Sequence, residues 1–249
     1  MTHRLLLVSQ ASLEGALQAS APPQWLSASE QTRLAQMAAP ARRAEFIACR
    51  YALRLLLAGD QEEVAAWPLE APAGQPPRLS ASTGAGLHLS LSHSHGWIAC
   101  ALAPEPVGID MELVTRKPAS AIADLAQLAC TPEQRKELAQ IADLAQCQQR
   151  FVQLWSLKEA WFKQRGTGVD FAMLPRLACL PAPAAAVQGA VDGSAHAWAW
   201  ATTTPAGQAA MVSVCTGSPV AHWALHAQSD LPLPAAQRFC LGLVAESAV

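Results

Sequence analysis

The chain has 249 residues, of which 51% are apolar and 14% are charged, and its formal net charge is −2. A chain of this length can bury a substantial core, as one large domain or two smaller ones, and so low a charge content excludes disorder over the whole chain. The charge balance lacks the basic excess of a nucleic-acid-binding protein, and we therefore expect no nucleic-acid partner.

The first half is predicted to contain one strand, two helices and a set of short strands. Periodicity places the strand at 4–9, the helices near 28–38 and at 42–58, and the short strands between about 87 and 113. The second helix is predicted to end at Gly59-Asp60.

The same order of element types recurs after Lys117-Pro118. Three helices are predicted at 119–128, 132–143 and 147–165, strands near 196–203, 209–215 and 221–227, and a last helix at 234–246. Two Pro/Ala-rich stretches are expected to be exposed connections, at 68–77 and 181–190.

This repeated order predicts an α+β fold of two similar subdomains in a pseudo-two-fold arrangement. Each subdomain is expected to pack helices on a small antiparallel sheet. The division is predicted to separate residues 1–114 from residues 115–249, with a hinge near 113–118.

The seven cysteines are scattered along the chain and include no Cys-x-x-Cys pair. They stand at positions 49, 100, 130, 147, 179, 215 and 240. An odd number of isolated cysteines predicts reduced thiols and a cytoplasmic protein. No apolar stretch reaches 18 residues, so we expect no association with a membrane.

Two short segments carry the residues with the clearest chemical use. In the helical segment 155–163, Glu159 and Lys163 are four residues apart and lie on one face. In the strand segment 108–112, Asp110 and Glu112 are two apart and point to the same side. Three carboxylates and one ammonium would share a pocket if the two segments met.

Each pair also has an ordinary structural interpretation. A Glu/Lys pair at this helical spacing is usually a solvated pair that contributes a few tenths of a kcal/mol, and an acidic strand face is usually exposed. Both segments, however, are rich in apolar residues, and acids in such surroundings need a cation. Three carboxylates of this kind predict a Mg²⁺ site with positions left for water and phosphate oxygens.

The two segments together resemble the paired signature of the 4′-phosphopantetheinyl transferase superfamily, in its longer, single-chain, pseudo-dimeric class that acts on synthetase carrier proteins. Further matching motifs follow the family's order between about Arg33 and Gly168. They are Glu45-Phe46-x-x-x-Arg50-x-x-x-Arg54, Leu91-Ser92-His93-Ser94 and Gly166-Thr167-Gly168.

The resemblance implies roles for five residues of the two segments. Asp110, Glu112 and Glu159 match the family's magnesium ligands, and Asp110 also counts among the residues that contact coenzyme A. Glu159 is implied as the base that takes the proton of the carrier serine, and Lys163 as the group that assists departure of 3′,5′-ADP. Lys158 matches a lysine beside the pyrophosphate, where an ammonium acts as a point charge.

The resemblance also implies contacts to the nucleotide end of coenzyme A. His93 and Ser92 match the family's histidine and its neighbouring serine, although a histidine at a strand end is usually a surface residue. Arg33 and Arg50 are the candidates for the 3′-phosphate. Gln75 also counts among the contacts, at a position where many members have a lysine, and Arg78 is a possible replacement for the phosphate contact of that lysine. Glu133, in the helix start that follows Thr131-Pro132, is a secondary candidate acid.

The function implied by the resemblance is magnesium-dependent transfer of the 4′-phosphopantetheine arm from coenzyme A to a serine of an acyl or peptidyl carrier protein. The protein is expected to be a monomer that releases 3′,5′-ADP and receives the carrier on segment 119–150. Two alternatives stay open. One is a non-catalytic module of the same fold that binds coenzyme A or carrier proteins, and the other is a magnesium-dependent phosphohydrolase.

Overall fold

The computed structural model describes residues 3–19, 24–59, 67–72, 75–80, 86–182 and 195–244. The chain forms two compact units. The first comprises Met1–Val107 with Ala221–Pro232, and the second comprises Gly108–Val220 with Leu233–Val249.

Within its described residues, the first unit has three helices and a four-stranded sheet. The helices are α1 (Gln10–Ala19), α2 (Ala28–Ala35) and α3 (Pro40–Ala58), of which α1 and α3 pack on the sheet. The strands are β1 (Arg4–Ser9), β2 (Leu69–Glu70), β3 (Arg78–Leu79), β4 (His88–Ser94), β5 (Trp97–Ala103) and β10 (Ala224–Leu225). The order in the larger sheet is β10-β1-β5-β4, and β2 pairs with β3 in a separate ribbon.

Helix α3 forms the centre of this unit. Proline at its first position needs no backbone donor there, and Gly59 at its end adopts φ +63°, which disfavours continuation of the helix. Its apolar face, which includes Ala52, Leu53 and Leu56, packs with strands β1 and β5 in one buried cluster. Burial of that face on the sheet fixes the helix and therefore its polar residues.

The described part of the second unit has three helices and a five-stranded sheet. The helices are α4 (Ala119–Ala129), α5 (Pro132–Gln140) and α6 (Leu144–Arg165), followed by a short 3₁₀ helix at Leu174–Arg176. Helix α6 packs on the sheet, and α4 and α5 pack against α6. The strands are β6 (Val107–Leu113), β7 (Leu177–Pro181), β8 (Ala195–Thr203), β9 (Ala209–Thr216) and β11 (Gln237–Leu243). Their order is β6-β9-β8-β11-β7, so that β6 lies at one edge.

The predicted α+β class with two subdomains is confirmed. One element prediction is wrong, because 234–246 was expected to be a helix, whereas β11 pairs antiparallel with both β7 and β8. Strand β10 was predicted among the strands of the second half and instead pairs parallel with β1 in the first unit. The stretches 68–77 and 181–190, expected as exposed connections, include strand residues at Leu69–Glu70 and at Pro181, and 183–190 lie outside the described residues.

The division of the chain differs from the predicted boundary after residue 114. Strand β6 shares a sheet with β8 and β9, so Asp110 and Glu112 lie in the same unit as Glu159 and Lys163. No helix within the described ranges is long and apolar enough to span a lipid bilayer. All seven cysteines are described, and none of them forms a disulfide bond.

Candidate active site

Strand β6 presents the two predicted acids on one face. Asp110 is buried and Glu112 is half-buried, and the two alternate with Ile109, Met111 and Leu113, which are all buried. Because side chains two apart on a strand point the same way, Gly108, Asp110 and Glu112 share a face.

Gly108 brings this face against helix α6. A Cβ added at Gly108 would lie 1.8 Å from the carbonyl oxygen of Ala160 and 2.4 Å from the backbone nitrogen of Gln164. No side chain fits this space, so glycine at 108 is what lets the strand and the helix backbone approach each other. The acids of β6 are therefore held beside the last turns of α6.

Helix α6 has well-defined ends. The side chain of Asp143 accepts a hydrogen bond from the backbone N–H of Gln146, and Gly166 ends the helix in the left-handed conformation at φ +68°. The buried face includes Phe151, Leu154 and Leu157. That burial sets the rotation of the helix about its axis and so the direction of its polar side chains.

Lys163 and Asp110 form the closest contact of the site. Nζ of Lys163 donates to Oδ1 of Asp110 at 2.8 Å, and the lysine side chain is 29% exposed. Oγ of Ser156, three residues before Glu159, donates to the backbone carbonyl oxygen of Asp110 at 3.4 Å. Strand and helix are thus joined by an ion pair as well as by packing.

Glu159 has a strongly perturbed proton affinity. The pKa of its carboxyl is raised to about 7, mainly by burial and then by the Asp110 carboxylate, while Lys163 opposes the rise and Glu112 adds to it. The two strand acids and Lys163 are therefore close enough to act electrostatically on Glu159. A half-buried carboxyl that titrates near neutral pH is a typical functional-site residue.

The donor set of this site has the chemistry that Mg²⁺ prefers, since all three acids offer carboxylate oxygens. Within the described part of the chain, however, no three His, Cys, Asp or Glu side chains are grouped closely enough to hold a metal ion. In this structure Asp110 binds Lys163 instead. The three acids are neighbours, and their joint ligation of magnesium stays a prediction.

Lys158 lies in the core and not with Glu159 and Lys163. Its side chain is fully buried, and Nζ donates to the carbonyl oxygens of Ala129 at 2.6 Å and Leu174 at 2.9 Å. These bonds join α6 to the end of α4 and to the 3₁₀ helix. The contacts favour a structural role for Lys158 over the predicted contact with pyrophosphate.

Two of the predicted nucleotide-binding residues lie together in the first unit. Nη1 of Arg33 donates to the backbone carbonyl oxygen of Gln75 at 3.4 Å, and the arginine is half-buried. The predicted substitute, Arg78, donates from Nε to Oε2 of Glu70 across the β2–β3 ribbon.

Arg50 is enclosed in a buried ion-pair cluster. It is 3% exposed, its Nε lies 3.4 Å from Oε1 of Glu30, and its guanidinium lies over the ring of Phe46. Arg54 shares the same carboxylate through two hydrogen bonds of 3.1 and 2.6 Å. Burial lowers the pKa of Arg50, and Glu30 opposes that shift. These contacts favour a structural role, since they fix α2, which carries Arg33, on α3.

Ser92 and His93 point to opposite faces of β4. Ser92 is buried, whereas His93 shares its face with Leu89 and Leu91 and is exposed at the strand end. Nδ1 of His93 lies 3.0 Å from Oε1 of Glu45 on α3. Glu133 is exposed in the first turn of α5, where Thr131 and Gln134 form a capping box.

Reasoning from sequence missed two residues that shape these sites. Gly108 was part of the matched motif but received no role, although a glycine inside a strand signals close backbone approach. Glu45 was likewise part of a matched motif and received no role. No sequence signal connects it with His93, because the two residues in contact are 48 positions apart.

Comparison with known proteins agrees with the motifs. The family model of the 4′-phosphopantetheinyl transferase superfamily matches residues 106–226. The chain is 36% identical over 87 residues to a 4′-phosphopantetheinyl transferase of Bacillus subtilis, which covers 35% of this chain and 37% of that protein. It is 33% identical over 86 residues to the 4′-phosphopantetheinyl transferase Sfp of Bacillus subtilis strain 168, covering 34% and 36%.

A 4′-phosphopantetheinyl transferase of Bacillus pumilus is similar as well, with 37% identity over 87 residues that cover 34% of this chain and 35% of the relative. The matched stretches thus span little more than a third of the length of these curated relatives. The family-model match supports the predicted superfamily over residues 106–226, and this region contains β6 and α6 with Asp110, Glu112, Glu159 and Lys163.

Proposed function

We propose that the protein transfers the 4′-phosphopantetheine arm from coenzyme A to a serine of an acyl or peptidyl carrier protein in a magnesium-dependent reaction that releases 3′,5′-ADP. One observation carries this proposal. Asp110, Glu112, Glu159 and Lys163 are neighbours on one strand and one helix, inside the segment that matches the superfamily.

The chemistry assigned to these residues follows from their charges. The serine oxygen attacks the phosphorus that bears the pantetheine arm, its proton passes to Glu159, and the phosphoanhydride bond to 3′,5′-ADP breaks. A carboxyl with a pKa near 7 is suited to accept that proton at neutral pH. The ammonium of Lys163 offsets the charge that develops on the departing phosphate.

Asp110, Glu112 and Glu159 would hold the magnesium ion. When bound, Mg²⁺ supplies positive charge to the pyrophosphate oxygens. Because Lys163 contacts Asp110 in this structure, ion binding requires Asp110 to share its carboxylate between the two cations. Three acids against one lysine leave an excess of negative charge, which favours a second cation at this place.

Arg33, His93 and Ser92 are the proposed contacts for the nucleotide end of coenzyme A. Arg33 beside Gln75 supports a 3′-phosphate position, since the guanidinium is half-buried and donates to a neutral backbone carbonyl instead of a carboxylate. His93 is the proposed contact at the end of β4, with Ser92 nearby in the chain. Arg50 and Lys158 are proposed to stabilise the packing of helices, each within its own unit, and not to bind phosphate directly.

The carrier protein is proposed to dock on segment 119–150. Two large apolar side chains in this segment are exposed, Leu128 at 61% on α4 and Leu144 at 46% at the start of α6. Exposed leucines of this kind favour contact with the apolar surface of a helical partner. Seven cysteines without a disulfide fit the proposed cytoplasmic location.

Incubation of the protein with coenzyme A, Mg²⁺ and an apo carrier protein tests the proposal. Mass spectrometry of the carrier should show the gain of one phosphopantetheine arm, and the gain should disappear when the metal is chelated. An unmodified carrier with measurable binding of coenzyme A would instead support the non-catalytic module. Nucleotide cleavage without any carrier would support the phosphohydrolase.

A further inference from the structure

The pair formed by His93 and Glu45 joins a strand end to the main helix of the first unit. His93 shares its strand face with Leu89 and Leu91, which pack on the core that contains α3. The ring therefore faces α3, where its Nδ1 lies 3.0 Å from Oε1 of Glu45. The imidazole stays 42% exposed, so a ligand can still approach it.

The carboxylate decides which ring nitrogen carries hydrogen. An ionised carboxylate has no proton to donate, so a contact at 3.0 Å requires that Nδ1 carry the hydrogen and donate it to Glu45. In the neutral ring, Nε2 is then the acceptor nitrogen, and its direction is fixed along with the ring. The same arrangement orients histidines that bind metals, where loss of the outer carboxylate costs about 10- to 100-fold in affinity.

Glu45 is itself held in place from the other side. Its Oε2 lies 3.8 Å from Nη1 of Arg42, one helical turn earlier on α3. The glutamate side chain is 29% exposed and the arginine is 74% exposed. The carboxylate therefore has one oxygen toward a solvent-exposed cation and the other toward the histidine.

We propose that Glu45 is a positioning residue for coenzyme A binding, which fixes the tautomer and the direction of the His93 ring so that Nε2 meets the nucleotide end of the substrate. This inference rests on the proposed function, in which His93 contacts coenzyme A. Glu45 acts only through His93 and does not touch the substrate.

Calorimetric titration with 3′,5′-ADP tests the inference, because this product carries the nucleotide end without the arm. Glu45→Ala and His93→Ala are each expected to weaken binding about tenfold. Glu45→Gln keeps a neutral acceptor for Nδ1–H and should lose less than half of that effect. The double variant Glu45→Ala/His93→Ala should bind no more weakly than His93→Ala alone. Glu45 acts only through His93, so its loss has no further effect once the imidazole is gone.

Kinetics and spectroscopy separate positioning from damage to the fold. In the carrier assay Glu45→Ala should raise KM for coenzyme A about tenfold and change kcat less than about twofold. The ¹⁵N spectrum of His93 should show the Nδ1–H tautomer in the parent and a mixture in Glu45→Ala. The matched control is Glu105→Ala, because Glu105 lies 3.9 Å from another histidine of this unit, His3, and should leave all of these quantities unchanged.

Two results would overturn the inference, and they are distinguishable. Parent-like binding and tautomer in Glu45→Ala, together with weak binding by His93→Ala, would remove the role of Glu45 and leave the proposed function intact. A parent protein that neither binds 3′,5′-ADP nor modifies a carrier would overturn both the inference and the proposed function.

Discussion

Each unit of the chain carries a cluster of ionised side chains on its longest helix, and the clusters differ in how far water reaches them. On α3 of the first unit, Arg50 and Arg54 enclose Glu30, and all three side chains are almost completely buried. On α6 of the second unit, Glu159 and Lys163 meet the strand acids, and only Asp110 is buried to that degree.

The difference shows that charge imbalance alone does not identify a functional site. Both clusters have unequal numbers of positive and negative groups. Two arginines for one glutamate form a closed cluster that packs against Phe46 and Trp25. Three acids for one lysine include the half-buried Glu112 and Glu159, and the neighbouring carboxylates help to raise the pKa of Glu159. Access for a ligand separates the active-site candidate from the structural cluster.

Substitution of Asp110 is expected to have the largest effect, and this effect is on activity. Asp110→Ala is expected to lower the rate of carrier modification about 10³-fold and to abolish its dependence on magnesium, because the proposed magnesium ligand and the partner of Lys163 are both lost. Rates are measured by mass spectrometry of the carrier, with circular dichroism as the check on folding. Glu14→Ala on the exposed face of α1 is the control. Full activity in Asp110→Ala would exclude this residue as a ligand.

Removal of Glu30 should act on stability instead of chemistry. Glu30→Gln leaves two buried guanidiniums without their carboxylate and is expected to cost about 3 to 5 kcal/mol in the free energy of unfolding, measured in urea. The control is Glu70→Gln, which breaks a pair with Arg78 whose side chains are 40% and 62% exposed. That change should cost less than about 0.5 kcal/mol. Equal losses in the two variants would show that burial does not distinguish these pairs.

Much of the fold could be predicted because its signals are local. Helix α3 has an apolar period, a proline at its start and a glycine at its end, and the predicted helix at 42–58 lies within the observed one. The segment 234–246 misled prediction, because its alanines favour a helix while its state is decided by pairing with β7 and β8. Such partners lie far away in sequence, at Cys179 and Ala197 for example.

The direction of a site residue could be predicted where spacing along one helix or strand determines it. It could not be predicted where packing against other elements determines it. The spacing of Glu159 and Lys163 gives their common helix face directly. Lys158 is adjacent to Glu159 in sequence, and only the packing of α4 and the 3₁₀ helix on α6 directs it into the core. The ion pair of Arg50 was unpredictable for the same reason, since its carboxylate partner lies on another helix.

The close approach of β6 to α6 can be tested by a substitution at Gly108, which changes the backbone contact and not the acids themselves. Gly108→Ala would put a Cβ 1.8 Å from the carbonyl oxygen of Ala160, so strand or helix must shift, at an expected cost of about 2 to 3 kcal/mol. Carrier modification should fall as well, because Asp110 moves with the strand. The control, Gly15→Ala in α1, has open space at its Cβ and should stabilise by about 0.5 to 1 kcal/mol. A tolerated Gly108→Ala would contradict the assigned contact.

The smallest effect concerns the proton on Glu159. Its pKa in the folded protein is raised from 4.5 to about 7, so the folded state holds this proton more tightly than the unfolded state does. The resulting stabilisation is fully present below pH 4.5 and is lost as pH rises toward 7. Glu159→Gln cannot ionise, so in metal-free buffer we expect it to match the parent near pH 4.5 and to exceed it above pH 7. The excess should be on the order of 1 kcal/mol after allowance for solvent screening. Urea denaturation at a series of pH values measures this difference, and a constant difference across the range would show that folding does not raise the pKa of Glu159.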